Sequence, residues 1–169
     1  MKDWYGLSPK VTLEGFSRGG LYALNWAAKN TDKIACIYID APVCNVFSWP
    51  GRKNAELWND LLKEWNLTDE EMNLFKGNPI DNLEPLAKAG IPIISVCGDA
   101  DKVVPFKDNM DIVRSRYLAL GGPVEVIIKP GVDHHPHSLE NPGPVVDFIL
   151  RHQPEYEKYL HYNVRGSLQ

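Results

Sequence analysis

The sequence predicts an α/β fold in which a mostly parallel sheet is flanked by helices. Short β-branched and apolar runs alternate along the chain with segments of helical periodicity, which is typical of βαβ units. Two of the runs, KIACIYI at 33–39 and IPIISVC at 91–97, are apolar at nearly every position, as in strands buried on both faces. With 169 residues, 44% of them hydrophobic, the chain suits a single domain spanning 1–169.

Strands and helices are predicted in alternation along most of the chain. The predicted strands cover residues 10–16, 33–39, 91–97 and 124–129, and the predicted helices cover residues 18–30, 106–120 and 145–152. After the first strand, Leu21, Leu24 and Ala27 recur at helical spacing. Two glycines at 121–122 are a typical end for the second helix. The tail at 153–169 shows no clear period.

The segment at about 42–90 interrupts this alternation. It contains Trp49, Trp58 and Trp65 in polar and helical surroundings. We interpret it as an α-helical insertion into the α/β domain.

Charge and composition exclude several classes of function. The net charge is −4 and no basic stripe is present, so no nucleic-acid or anionic-membrane partner is predicted. No apolar run approaches the roughly 18 residues of a membrane span. The N-terminal MKDWYGLSPK is not a secretion signal; a complete chain would be cytoplasmic, whereas a signal upstream would change the location. The odd, scattered cysteines, Cys36, Cys44 and Cys97, indicate neither a disulfide framework nor a zinc site.

The residues at 15–19, GFSRG, fit the pattern G-x-S-x-G between a predicted strand and a predicted helix. Such a turn lifts the Ser17 hydroxyl clear of the backbone, and glycines two residues before and after it avoid a collision. The helix N-terminus favours negative charge beside Ser17, and the backbone N–H of Arg18 becomes a candidate oxyanion donor. The alternative is an ordinary glycine turn that opens a helix.

A serine nucleophile needs a base and an acid that orients the base. GDADKVVP at 98–105 follows a predicted strand and offers two aspartates. Asp101 is the candidate acid, because it precedes Val-Val-Pro at the strand's carboxyl end. Asp99 is expected to shape the turn by accepting backbone N–H groups. Asp101 could also be no more than a solvated turn carboxylate.

GVDHHPHS at 131–138 follows the last predicted strand and holds three of the five histidines. His134, the first of them, is chosen as general base over His135, and His137 is expected to bond within the loop. No metal site is predicted, because the three histidines share one loop and no distant ligand completes a coordination shell. No cofactor is predicted either, since the glycines do not fit a phosphate-binding loop.

The three motifs, in this order after successive strands, resemble the α/β-hydrolase family, in particular bacterial esterases of the esterase/lipase type. The resemblance covers residues 11 to about 152. It implies Ser17 as nucleophile, Asp101 as acid and His134 as base. It also implies that 42–90 is a cap insertion, whose Trp49 and Trp58 would line a substrate pocket; alternatively, the tryptophans only pack the cap onto the body.

In that family several strands precede the nucleophile strand, and a loop upstream supplies a second oxyanion donor. Neither has a counterpart before Lys10, so the chain resembles roughly the C-terminal half to two-thirds of such a domain. The first strand would then lack a neighbour on one side. Because an unpaired apolar edge is a pairing site, a homodimer through this edge or the adjacent apolar surface is expected.

The predicted function is that of a serine carboxylesterase that cleaves small carboxylic esters, with acyl groups on carbohydrates as one suggested class. Two alternatives stay open. A serine peptidase of the prolyl-oligopeptidase type would share the triad order, and a catalytically weak or inactive hydrolase fragment would act as an assembly domain.

Overall fold

The computed structural model of the protein describes residues 8–153. The sheet consists of β1 (Val11–Phe16), β2 (Ile34–Asp40), β3 (Ile93–Gly98) and β4 (Val124–Lys129). The spatial order is β1-β2-β3-β4 and every neighbouring pair is parallel. The predicted α/β fold with a parallel sheet is therefore confirmed.

Five α-helices accompany the strands in the described part of the chain. They are α1 (Arg18–Lys29), α2 (Ala55–Trp65), α3 (Glu84–Lys88), α4 (Met110–Ala119) and α5 (Gly143–His152). The helix predicted at 106–120 begins late, since Phe106–Asp108 is a 3₁₀ turn. Asn109 interrupts the helix because its side-chain oxygen accepts from the backbone N–H groups of Cys44, at 2.9 Å, and Asn45, at 3.1 Å. This contact ties the start of α4 to the segment after β2.

The two faces of the sheet bury alternate residues of the central strands. On one face, Ile37 and Ile39 of β2 pack in a cluster with side chains of α1, α3 and α4. On the other face, Cys36 and Tyr38 pack with Val145 and Phe148 of α5, among others. This period of two places helices on both sides of the sheet.

The segment predicted as an insertion, 42–90, contributes to two hydrophobic clusters. Its first part supplies Val46, Trp58 and Met72 to a cluster that also holds Leu21 of α1 and Val104, which follows β3. Its last part, including α3, packs instead in the core against the sheet. The first part therefore lies near the carboxyl ends of the strands.

Among residues 8–153, β1 and β4 form the two edges of the sheet. Val11 at the start of β1 is 45% exposed and Phe16 at its end is 37% exposed. The homodimer through this edge stays a prediction, and the predicted tail at 153–169 lies outside the described residues apart from Gln153. In the described range no helix combines the length and apolar character that a bilayer span requires.

A buried tyrosine joins α4 to the segment just before β3. Tyr117 on α4 donates a hydrogen bond of 2.7 Å to the carbonyl of Ile91, just before β3. Burial raises the pKa of Tyr117 above its usual value, because the phenolate would lose its hydration.

We predict that Tyr117→Phe lowers the free energy of unfolding by about 1 kcal/mol at neutral pH, because the Ile91 carbonyl loses its donor. The neutral, buried tyrosine contributes its full stability below about pH 10. This contribution is lost as the pH rises further, because Tyr117 ionises in the unfolded chain before it ionises in the folded protein. The phenylalanine variant should therefore lose less stability above that pH. Urea unfolding at neutral pH and again above pH 10 measures the two stability losses. Tyr22→Phe, at a position that is 70% exposed, is the control. Equal alkaline losses in the variant and the original protein would contradict the assignment.

Candidate active site

Ser17 lies on the tight turn between β1 and α1, with φ 49° and ψ −116°. A positive φ is strained for a residue with a side chain, so neighbouring bonds must hold it. Ser17 N donates to the Asp40 carbonyl at 2.9 Å, and the Ser17 carbonyl accepts from Gly20 N at 3.0 Å and Val43 N at 2.9 Å. Because α1 begins at Arg18, the Arg18 N–H has no intrahelical acceptor and remains a candidate oxyanion donor.

The glycines around Ser17 have unequal roles. A Cβ added to Gly15 would lie 2.6 Å from the carbonyl oxygen of Gly19, which is far too close. A Cβ on Gly19 itself would meet nothing within 4 Å, whereas a Cβ on Gly20 would overlap Pro42. The expected collision is therefore confirmed at Gly15 and wrong at Gly19. After Ser17, the glycine that close packing requires is therefore Gly20 and not Gly19.

The structure brings together the three side chains that the motifs singled out. His134 Nδ1 lies 2.8 Å from Asp101 Oδ2, and His134 Nε2 lies 3.0 Å from Ser17 Oγ. A carboxylate only accepts, so Nδ1 carries the proton and Nε2 accepts from the Ser17 hydroxyl. The His134 and Asp101 side chains are 7% and 2% exposed, so this contact is shielded from water. Ser17 is half-buried, so the residue remains partly open to solvent.

Asp101 is held in place by the turn that follows it. Its Oδ1 accepts the backbone N–H groups of Val103 at 2.9 Å and Val104 at 2.8 Å. Its other oxygen is thereby directed at His134. The turn at 101–104 therefore fixes the orientation of the Asp101 carboxylate.

A further aspartate, which no motif indicated, joins the loop that carries Asp101 to the loop that carries His134. Asp133 Oδ1 accepts Lys102 N at 2.9 Å and His134 N at 2.8 Å. These two bonds, that with Lys102 first, lower the pKa of Asp133 below its usual range. Asp99 was expected to shape its own turn, but its Oδ1 instead accepts the N–H of Gly131, at 2.6 Å, in the loop after β4.

Asp40, at the end of β2, is a fully buried carboxylate beside the site, and the sequence analysis missed it. Its Oδ1 lies 2.7 Å from His137 Nδ1, and its Oδ2 accepts Ser138 N at 2.8 Å and the Tyr38 hydroxyl at 3.2 Å. The expectation that His137 bonds within its own loop is wrong. Burial is the main reason that the pKa of Tyr38 rises to about 12, so its hydroxyl remains a donor. The sequence feature that could have indicated Asp40 is its position directly after the apolar run at 33–39.

The two candidate substrate-binding tryptophans lie in different surroundings. Trp58 is 4% exposed, donates from Nε1 to Asp69 at 2.7 Å, and packs in the cluster that joins the insertion to Leu21 and Val104 of the body. Trp49 lines a cavity of about 190 Å³ together with Arg18, whose guanidinium lies 5.7 Å from the Trp49 ring centroid. The cavity wall also contains Val43, whose N–H binds Ser17. Trp49, unlike Trp58, therefore lines a cavity that borders Arg18, the residue directly after Ser17.

The chain matches a known protein family over most of its length. The profile described as the prolyl oligopeptidase family matches residues 2–152. No curated protein sequence matches the chain.

Solved structures share the fold. Porphyromonas gingivalis dipeptidyl peptidase 4 is 14% identical with a TM-score of 0.62, and the match covers 86% of this chain and 20% of that one. Pyrococcus horikoshii acylaminoacyl peptidase is 18% identical with a TM-score of 0.58, covering 90% and 24%. An S-formylglutathione hydrolase from Agrobacterium tumefaciens is 16% identical with a TM-score of 0.56, covering 92% and 49%. The chain thus has the α/β-hydrolase fold, and it spans about a quarter or less of the two peptidases.

We predict opposite effects from alanine at two adjacent glycines. Gly19→Ala should raise the free energy of unfolding by about 0.5–1 kcal/mol, since alanine favours the helix and its Cβ has open space. Gly20→Ala should lower it by about 1–3 kcal/mol, because the Cβ overlaps Pro42. Urea unfolding of the two variants is the measurement, and each serves as the other's control. The same sign for both would contradict this account of the turn.

We predict that Asp133→Ala lowers kcat by about tenfold or more, because the loop that carries His134 loses its link to the loop that carries Asp101. The depressed pKa means that the carboxylate stabilises the fold above about pH 4 and that this contribution is lost as pH falls further. Asp133→Ala should therefore flatten the acid side of the stability profile. Asp147→Ala, an exposed position on α5, is the matched control. An unchanged kcat in Asp133→Ala would contradict the bridging role.

Proposed function

The chain belongs to the prolyl oligopeptidase family. From the geometry of its site we propose that it is a serine hydrolase that cleaves small carboxylic esters. The observation that carries the proposal is the pair of contacts made by one imidazole. His134 lies 2.8 Å from Asp101 and 3.0 Å from Ser17, which is the arrangement that nucleophilic catalysis by serine requires.

The proposed reaction proceeds in two halves. Ser17 Oγ attacks the ester carbonyl carbon while its proton passes to His134 Nε2, and the Arg18 N–H stabilises the oxyanion. The C–O bond to the alcohol breaks, and the imidazolium returns its proton to the departing oxygen. Water then attacks the acyl-enzyme, again losing a proton to Nε2, and the acid leaves as Ser17 regains its hydrogen. Asp101 holds the imidazole and stabilises its positive charge throughout.

Two features favour small esters. The cavity of about 190 Å³ beside Arg18 is smaller than the roughly 300 Å³ or more of most ligand pockets, so it suits a short acyl or alcohol group. In addition, Arg18 N–H is the oxyanion donor that we assign among residues 8–153. Loss of one donor typically costs about 10²–10³ in rate, and esters tolerate this better than amides because they are more reactive.

Peptidase activity is the second candidate, and family membership favours it. The fold does not choose between the two, since the similar structures include peptidases and an S-formylglutathione hydrolase. An amide substrate would need stronger oxyanion stabilisation and protonation of an amine as it leaves. Residues outside this chain would then have to supply further contacts.

Matched substrates test the proposal. We predict turnover of p-nitrophenyl acetate that falls by about 10³-fold or more in Ser17→Ala, and covalent labelling of Ser17 by a fluorophosphonate. A dipeptide p-nitroanilide should be cleaved far more slowly. Faster cleavage of the anilide than of the ester would favour the peptidase. Absence of both labelling and turnover in the folded chain would support the inactive assembly domain and contradict the hydrolase.

A further inference from the structure

Three histidines converge beside Ser17, and only one of them serves the proposed reaction. The candidate ligand atoms of His134, His135 and His137 all lie within 4.8 Å of one another, and their ring centroids are 4.6–5.0 Å apart. We propose that this histidine cluster binds a transition-metal dication of the Zn²⁺ type. The metal would bind His134 Nε2, the nitrogen that otherwise accepts a hydrogen bond from the Ser17 hydroxyl. The effect on turnover rests on the proposed function, whereas the binding does not.

Carboxylates set the protonation of two of the three rings. Asp101 lies 2.8 Å from Nδ1 of His134, and Asp40 lies 2.7 Å from Nδ1 of His137. Both Nδ1 atoms therefore carry the proton, which leaves each Nε2 with a free lone pair. A carboxylate behind a histidine is the usual support of a metal-ligating imidazole, since it fixes the tautomer and raises basicity. Sequence spacing on one loop did not reveal this, because Asp40 lies on β2, 97 residues from His137.

The ligand type selects the metal. Three imidazoles suit Zn²⁺ and similar borderline cations, and they leave a fourth position for water. Mg²⁺ and Ca²⁺ prefer oxygen ligands and would bind poorly. The two buried carboxylates, of Asp40 and Asp101, add negative charge close to the cluster.

Closure of the site requires a short movement of two rings. Nitrogens bound to a tetrahedral zinc stand about 3.3 Å apart, which is closer than the 4.8 Å limit of the cluster. His135 is exposed, so its ring can turn towards a metal, whereas the His137 ring, 20% exposed, can pivot about the contact of its Nδ1 with Asp40. His134 is held by Asp101, so the metal must come to its Nε2.

That nitrogen is the one 3.0 Å from Ser17 Oγ. Once its lone pair is bound to a metal, it cannot accept the serine proton, so the general base is blocked. Removal of the metal restores the base, because no covalent bond to the protein has formed. The histidine cluster would thus make the hydrolase reversibly sensitive to zinc.

Calorimetric titration of the EDTA-treated, dialysed 169-residue chain with zinc chloride tests the proposal. We expect one site, with affinity reduced by about tenfold or more in His134→Asn, in His135→Asn and in His137→Asn. His152→Asn, a histidine on α5 outside the cluster, is the matched control and should bind as the original protein does. Ser17→Ala should bind zinc at least as tightly, because the competing hydroxyl is gone.

Absence of zinc binding, or equal affinity in all the histidine variants, would overturn the proposal. Weaker binding in Ser17→Ala would also contradict it, since the metal and the serine would then not share a nitrogen. In the active enzyme, zinc should suppress hydrolysis of p-nitrophenyl acetate and EDTA should restore it. Because calorimetry needs no turnover, a chain without esterase activity would still reveal whether the cluster binds zinc.

Discussion

The parallel pairing of four strands places their carboxyl ends side by side, and the candidate site residues follow these ends. Adjacent strands end in register: Phe16 at the end of β1 pairs with Asp40 at the end of β2, and the last residues of β3 and β4 pair with each other. The residues that follow these ends must therefore lie close together. This is how Ser17 and His134, 117 residues apart, come within 3.0 Å. Alternate side chains of each strand pack against helices on opposite faces of the sheet, and this packing holds the strand ends in place.

The loop after β4 does not position His134 alone. On one side of the imidazole, Asp133 links the loop to the turn after β3. On the other side, buried Asp40 holds His137 and the N–H of Ser138 to the end of β2. The loop thus has an anchor on either side of the base. The same anchor at Asp40 gives His137 the tautomer that the inferred metal site needs, so positioning of the base and metal binding are linked.

Periodicity and motif order were sufficient to predict the parallel sheet and to single out Ser17, Asp101 and His134. They work because strand ends converge whatever the loops contain. The contact of Asp40 with His137 depends on how the loop after β4 passes the end of β2, which no local pattern contains. The role of Gly20 likewise depends on where the chain passes after β2. Burial of Trp58 depends on packing of the insertion against Leu21 and Val104, which composition alone does not specify.

The central claim is that one imidazole is held between a carboxylate and a hydroxyl in the resting protein. ¹⁵N NMR of histidine-labelled chain tests it most directly, because the two ring nitrogens differ in shift when one is protonated. The account predicts that His134 carries its proton on Nδ1, that this proton is protected from exchange, and that the protection is lost in Asp101→Ala. A His134 protonated on Nε2, or a ring whose proton exchanges as freely as that of exposed His135, would contradict it.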